Sequence, residues 1–250
     1  MGAAIAAKAP ADGYTYFMGA VHHAIAPSMY PKLDYDLERD FVPLALVATV
    51  PFVLVVNPQK VTAPDYKGFL SQVLANPGRF NFASAGNGTA HQMAGELFKL
   101  QTKSFITHIP YRGAGPALQD LISGNVEVMF DGLGSSAQHI KSGRIKALMV
   151  AGTQRNPAIP DVPCAAELGL KDYNVSTWYG LWAPKGTPAA VQATFLDILK
   201  KARDLPEIKT AWSNSGADFP AMSPTQFGEF VSAETKRWAG VVKASGAKLD

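Results

Sequence analysis

The chain has 250 residues, of which 47% are hydrophobic and 17% charged, with a formal net charge of +3. That size and composition suit one large domain or two small ones with an adequate core. The weak, scattered positive charge argues against nucleic acid, and no apolar run reaches the roughly eighteen residues needed to span a bilayer.

Alternating strand and helix patterns follow along the chain. Residues 1–9 are alanine-rich without a basic start, so they do not read as a signal peptide. Residues 14–20 read as a strand and 42–56 as one or two buried strands. A helix over 65–75 is stopped by Asn76-Pro77-Gly78. A second over 90–101 places Met93, Leu97 and Leu100 on one stripe. Then come a strand over 105–109, a helix over 116–123 ended by Gly124, and a short buried strand over 126–130 that delivers Asp131. A helix over 135–142 closes at Gly143, and 145–151 is another strand. Cys164, the single cysteine, follows Pro163 at an expected helix start and reads as a small buried side chain, with no disulfide partner.

The last third differs. Residues 175–183 form an extended aromatic-rich run. Thr187-Pro188 starts a helix by the N-cap and N1-proline rule, with Val191, Phe195, Ile198 and Leu199 facing inward. Ser223-Pro224-Thr225-Gln226 starts the final helix with a capping box, Gly246 ends it, and Phe227, Phe230, Val231, Trp238, Val241 and Val242 form its apolar face. Alternating elements of this kind imply an α/β fold with parallel strands covered by helices.

The most informative segment is Ala83-Ser84-Ala85-Gly86-Asn87-Gly88-Thr89-Ala90-His91-Gln92. A strand breaks at two glycines and opens a helix, with Thr89 at the N-cap and Gln92 three residues on. Glycines let the backbone turn tightly toward a ligand, and the free amides of a helix's first turn attract anions. Ser84, Ala85, Gly86, Asn87, Gly88, Thr89 and His91 are therefore candidate anion-binding residues. A purely structural β–α turn is the plainer reading of the same residues. The segment lacks the lysine and spacing of a P-loop and does not fit the dinucleotide fingerprint. The five histidines, His22, His23, His91, His108 and His139, show no recognised metal spacing. No metal or cofactor is expected.

An ordered set of short motifs resembles one family. It includes Ala11-Asp12-Gly13-Tyr14-Thr15, Asp40-Phe41-Val42-Pro43, Val55-Val56-Asn57-Pro58, Asn76-Pro77-Gly78 and the glycine loop. It continues with His108-Ile109-Pro110-Tyr111-Arg112-Gly113, Met129-Phe130-Asp131, Pro160-Asp161-Val162-Pro163, Trp178-Tyr179-Gly180-Leu181 and Lys243-Ala244-Ser245-Gly246-Ala247. Over almost its whole length the chain resembles the solute receptors of tripartite tricarboxylate transporters, the Bug-type periplasmic binding proteins.

The resemblance implies an α/β, two-lobe periplasmic binding protein-like (type II) fold with hinge strands. Residues 1–57 and 178–250 would form lobe 1, and 58–177 an inserted lobe 2. It also implies a periplasmic, non-enzymatic receptor that traps a small carboxylate and hands it to membrane permease subunits, acting as a monomer. Tyr111, Arg112 and Asp131 would come from lobe 2, and Trp178 would line the cleft near the return crossing. Arg112 is a candidate partner for a ligand carboxylate, and Asp131 an acceptor at the carboxyl end of a strand. Family members normally begin with a signal peptide, a first strand and a Pro/Gly-rich loop, so lobe 1 is expected to be incomplete at its N-terminus. Two other readings stand beside this one. The first is an α/β enzyme acting on an acidic or phosphorylated small molecule through Ser84, His91 and Asp131. The second is a truncated relic without a ligand.

Overall fold

The computed structural model describes residues 1–248. The first part runs α1 (Gly2–Ala6), β1 (Phe17–Ala20), α2 (Val21–Met29), β2 (Phe41–Val56) and α3 (Tyr66–Ala75). The middle continues β3 (Asn81–Ser84), α4 (Ala90–Thr102), β4 (Thr107–Pro110), α5 (Ala114–Ser123), β5 (Val128–Gly132), α6 (Leu133–Lys141) and β6 (Lys146–Val150). The last part holds β7 (Ser176–Pro184), α7 (Ala189–Arg203), α8 (Pro206–Ser215) and α9 (Pro224–Ser245).

Strand β2 joins everything. Its first half pairs antiparallel with β7, from Phe41 opposite Pro184 to Pro51 opposite Ser176. Its second half lies between β5 and β6, with Phe52 opposite Gly132 and Val53 opposite both Asp131 and Val150. The change of partner falls at Pro51. Proline has no N–H to continue a ladder and is tolerated where pairing is interrupted. The next amide, Phe52 N, donates instead to Val175 O at 3.0 Å. The pairings therefore change at 51/52 on β2 and just before Ser176. Among the described residues, strand β7 pairs only with β1 and the first half of β2.

Strands β5, β3 and β4 follow in that order as parallel neighbours. Successive β2 side chains point to opposite faces, and each face has its own core. Phe52, Leu54 and Val56 belong to the larger cluster, which takes in Phe98 of α4, Ile25 of α2 and Trp238 of α9. Val53 and Val55 belong to the smaller one, with Leu118 and Leu121 of α5 and Leu133 of α6. The result is a mixed α/β fold.

Several expectations are corrected. Strand β1 begins at Phe17, because Tyr14 is 92% exposed. On α4 the buried apolar side chains are Ala90, Met93, Ala94 and Phe98, whereas Leu100 faces solvent. Helix α7 starts one residue later than the proline rule places it: Pro188 is the cap itself, and the Thr187 hydroxyl donates to Pro184 O at 2.8 Å. None of its residues is fully buried, and Ile198 is exposed. Cys164 is buried as expected, but it forms a bridge with Val150 rather than opening a helix. Helices α2 and α8 were not anticipated. Pro27 and two adjacent histidines obscure the first, and the second buries no residue at all.

The final helix forms as its sequence dictates. Ser223 Oγ accepts from Gln226 N at 3.2 Å, Gln226 Oε1 accepts from Ser223 N at 2.9 Å, and Gly246 ends the helix at φ 69°. Its inner face carries Glu234, whose Oε2 accepts from the indole N–H groups of both Trp178 and Trp238 at 3.0 Å each. Arg237 Nη1 donates to Oε1 at 3.1 Å. With three hydrogen bonds this carboxylate ties β7 to α9.

Replacing Glu234 with Leu strands both indole donors, each costing roughly 1–3 kcal/mol when buried and unpaired. The expected loss is on the order of 3 kcal/mol, read as a lower urea midpoint. Acid destabilises by a separate route. Burial, reinforced by neighbouring His22, holds the His23 pKa down at about 4 from 6.5. Between those values the unfolded chain binds a proton that the folded one does not, so stability is full above 6.5 and falls as pH drops toward 4. His23→Asn, which keeps a side-chain acceptor for Ala20 N, should flatten that limb in pH-dependent urea melts.

Candidate functional site

Three parallel strands end on one edge of the sheet, at Ser84, Pro110 and Gly132. Crevices outside the carboxyl ends of parallel strands are where ligands of open α/β sheets bind. Here that edge carries the 85–89 loop, the 111–113 turn and the start of α6.

The loop is held from beneath. Ser84 is fully buried, and its Oγ accepts from Gly86 N at 3.0 Å and lies 2.6 Å from His108 Nε2 on β4. The neighbouring turn clamps the outer side: Tyr111 N donates to Ser84 O at 3.0 Å and Gly113 N to Ala85 O at 3.1 Å. Gly86 and Gly88 take φ values of 126° and 74°, which L side chains rarely adopt. A Cβ on Gly86 would also meet Tyr111 O at 3.1 Å.

The helix start differs in detail from the expected capping box. Gln92 Oε1 accepts from Gly88 N at 2.7 Å, one residue before the cap, while Thr89 Oγ1 donates to Gly86 O at 2.7 Å. Gln92 N reaches Thr89 Oγ1 only at 3.5 Å. Ala85, Gly86, Asn87, Gly88 and Thr89 remain half-buried. Ala90 and His91 stand in the first turn of α4, where amides have no intrahelical acceptor.

Asp131 is brought to the same edge, but it is fully buried and bonded within the protein. Its Oδ2 accepts from Ser135 Oγ at 2.7 Å and Ser136 Oγ at 2.6 Å, and its Oδ1 lies 3.1 Å from His91 Nε2. A carboxylate only accepts, so Nε2 carries the proton. The Phe52 ring meets the imidazole edge to face at 5.1 Å. Asp131 therefore fixes His91 rather than offering an open acceptor. Nδ1 of His91 is buried with no partner among the described residues.

Tyr111 lies against the loop, yet its hydroxyl donates to Asp120 Oδ2 at 2.8 Å. Burial, aided by that bond and the Asp120 charge, pushes its pKa up to about 12. Arg112 is exposed and makes no ion pair among the described residues. Trp178 is corrected: its indole is enclosed in the core and bound to Glu234, so it lines no open surface. Tyr179, on the opposite side of β7, is 38% exposed.

The alternative catalytic reading required Ser84 to meet a histidine held by an acid. Ser84 meets His108 while Asp131 holds His91, and the Ser84 hydroxyl is closed to solvent. The Ser84–His91–Asp131 relay is not assembled. Sequence reasoning missed His108, Ser135 and Ser136 as supports, and placed the Gln92 side chain on the cap residue rather than on Gly88. His108 lay in a quoted motif and the serines follow Asp131 closely, but only pairing across strands shows what they hold. Cavities of about 380 and 420 Å³ lie elsewhere, against α8 and beside α2, and neither is lined by the 84–91 loop.

Gly86→Ala tests the loop geometry. Forcing a Cβ into that backbone conformation costs roughly 1–3 kcal/mol, so the variant should show a lowered urea midpoint of that size.

The model of the family described as "Tripartite tricarboxylate transporter family receptor" matches residues 1–247. The protein BugT of Bordetella pertussis is 35% identical over 97% of this chain and 75% of its own length. A solved structure described as a periplasmic transporter is 37% identical, with a TM-score of 0.92 over 100% of this chain and 83% of that one. MatC from Rhodopseudomonas palustris, solved with bound malate, is 33% identical, with a TM-score of 0.86 over 96% and 83%. The fold is that of periplasmic solute-binding proteins. By its sequence from end to end and by its structure, the chain belongs to the tripartite tricarboxylate transporter receptor family.

Proposed function

We propose that this chain is a receptor that captures a small organic carboxylate, without chemistry, for delivery to membrane permease subunits in the periplasm. The carrying observation is the anion seat: Gly86 and Gly88 at positive φ, opening onto the first turn of α4 where three parallel strands end. Backbone amides at such a helix start, together with its dipole, favour a negative group. Arg112, exposed beside the loop and without an ion pair among the described residues, adds a positive charge.

In this reading the half-buried residues Ala85 to Thr89 contact the carboxylate directly. His91 orients toward it, and Ser84, Asp131 and Tyr111 hold those residues from behind. Two lobes meet where β2 and the stretch entering β7 change partners, and ligand contacts from both favour the closed form. The malate bound by MatC supports a carboxylate as the ligand class. The family and its structural neighbours are transport receptors, which supports binding without catalysis.

A thermal-shift panel of di- and tricarboxylates, aromatic acids and acidic amino acids tests the reading. An acid at a hundred times its Kd should stabilise the protein by about 2.7 kcal/mol. Arg112→Ala should weaken that acid about tenfold or more, since a hydrogen bond to a charged group contributes about 1.5–3 kcal/mol. A protein whose melting is unmoved by every acid in the panel would not be such a receptor.

A further inference from the structure

A second cavity, of about 420 Å³, opens beside α2 and reaches Thr235 of α9. It shares no residue with the anion seat. Its size is within the range that accepts small organic ligands.

Three rings line it: His23, Tyr30 and Tyr35. His23 and Tyr35 meet edge to face with centroids 6.0 Å apart. The His23 ring is neutral, because burial depresses its pKa and Nδ1 accepts from Ala20 N at 3.1 Å. Its neighbour His22 is also shifted down by burial. Neither imidazole sets a positive charge against the cavity near neutral pH.

The rim carries the opposite charge. Asp36 and Glu38 supply two carboxylates, and Glu38 is exposed with no ion pair among the described residues. The lining cation, Arg39, is committed to Asp40 through bonds of 2.7 and 3.0 Å. Asp36 Oδ1 accepts the amides of Glu38 and Arg39 at 2.9 Å each, which fixes the carboxyl on the rim. The cavity thus combines aromatic rings with net negative charge.

We infer that this cavity binds a small organic ammonium ion, its charged head against the Tyr30 and Tyr35 rings and facing the Glu38 and Asp36 carboxylates. Rings attract a cation through their quadrupole, and alkylated ammonium groups are held this way. A bare metal ion fits poorly, because no group of three or more His, Cys, Asp or Glu among the described residues is placed to hold one. An anion would meet two carboxylates and no uncommitted cation on the lining.

Choline and its uncharged isostere 3,3-dimethyl-1-butanol separate charge from shape. Each is titrated into the whole chain at low salt, followed by NMR shifts of the aromatic resonances. Choline should move the Tyr30 and Tyr35 signals and bind at least about tenfold more tightly than the alcohol. Tyr30→Leu and Glu38→Gln, both at exposed positions, should each weaken choline about threefold or more, as expected for loss of one cation–π or charge contact. Equal binding of choline and the alcohol, no shift at tens of millimolar choline, or unchanged affinity in both variants would overturn the assignment.

Discussion

A single strand carries two sheet systems, and the missing N–H of Pro51 marks where one stops and the other begins. Up to Pro51, β2 pairs with β7; from Phe52 on, it lies between β5 and β6. A ladder needs a donor at every second residue, and proline cannot supply one. The lost bond leaves Phe52 N to take Val175 O and Phe52 O to take Ala151 N at 2.8 Å. The change of partner therefore leaves both groups of Phe52 satisfied, and it sets Asp131 opposite Val53, beside that junction.

From that junction the site's placement follows. Because β3, β4 and β5 run parallel, their carboxyl ends share one edge, and the loops that leave them converge there. Convergence alone does not shape a ligand seat. The loop is braced by Ser84 with His108, by Gln92 on Gly88, and by the amides of Tyr111 and Gly113. Those contacts also take up the amides of Gly86 and Gly88, so the first-turn amides of α4, at Ala90 and His91, are the ones without an intrahelical acceptor. Such preorganisation suits a binder, since little ordering remains when the ligand arrives.

Two buried carboxylates, Glu234 and Asp131, illustrate how one residue type serves different ends. Each accepts three hydrogen bonds, the condition under which a buried charge is tolerated. Glu234 takes two indoles and an arginine and fastens β7 to the last helix. Asp131 takes two serines and His91 and fixes an imidazole at the mouth of the anion seat. Trp178 belongs with the first, and this is why an aromatic side chain in an extended run became core rather than lining.

The order of residues along the chain is enough to specify the α/β alternation, the glycine loop with its helix start, and the capped final helix. These depend on local chemistry: a proline or glycine at a stop, a serine at a cap, an apolar stripe at helical spacing. It also carried the family motifs from Ala11 to Ala247. Which histidine meets Ser84, that Asp131 is buried in a cluster of three bonds, and that Trp178 lies inside emerge from the folded arrangement alone. Those outcomes rest on residues far apart in the chain, such as Trp178 and Glu234 or His91 and Asp131, whose meeting depends on strand register. Register follows from how β2, β5 and β7 pair across the sheet, and no stretch of local sequence encodes it.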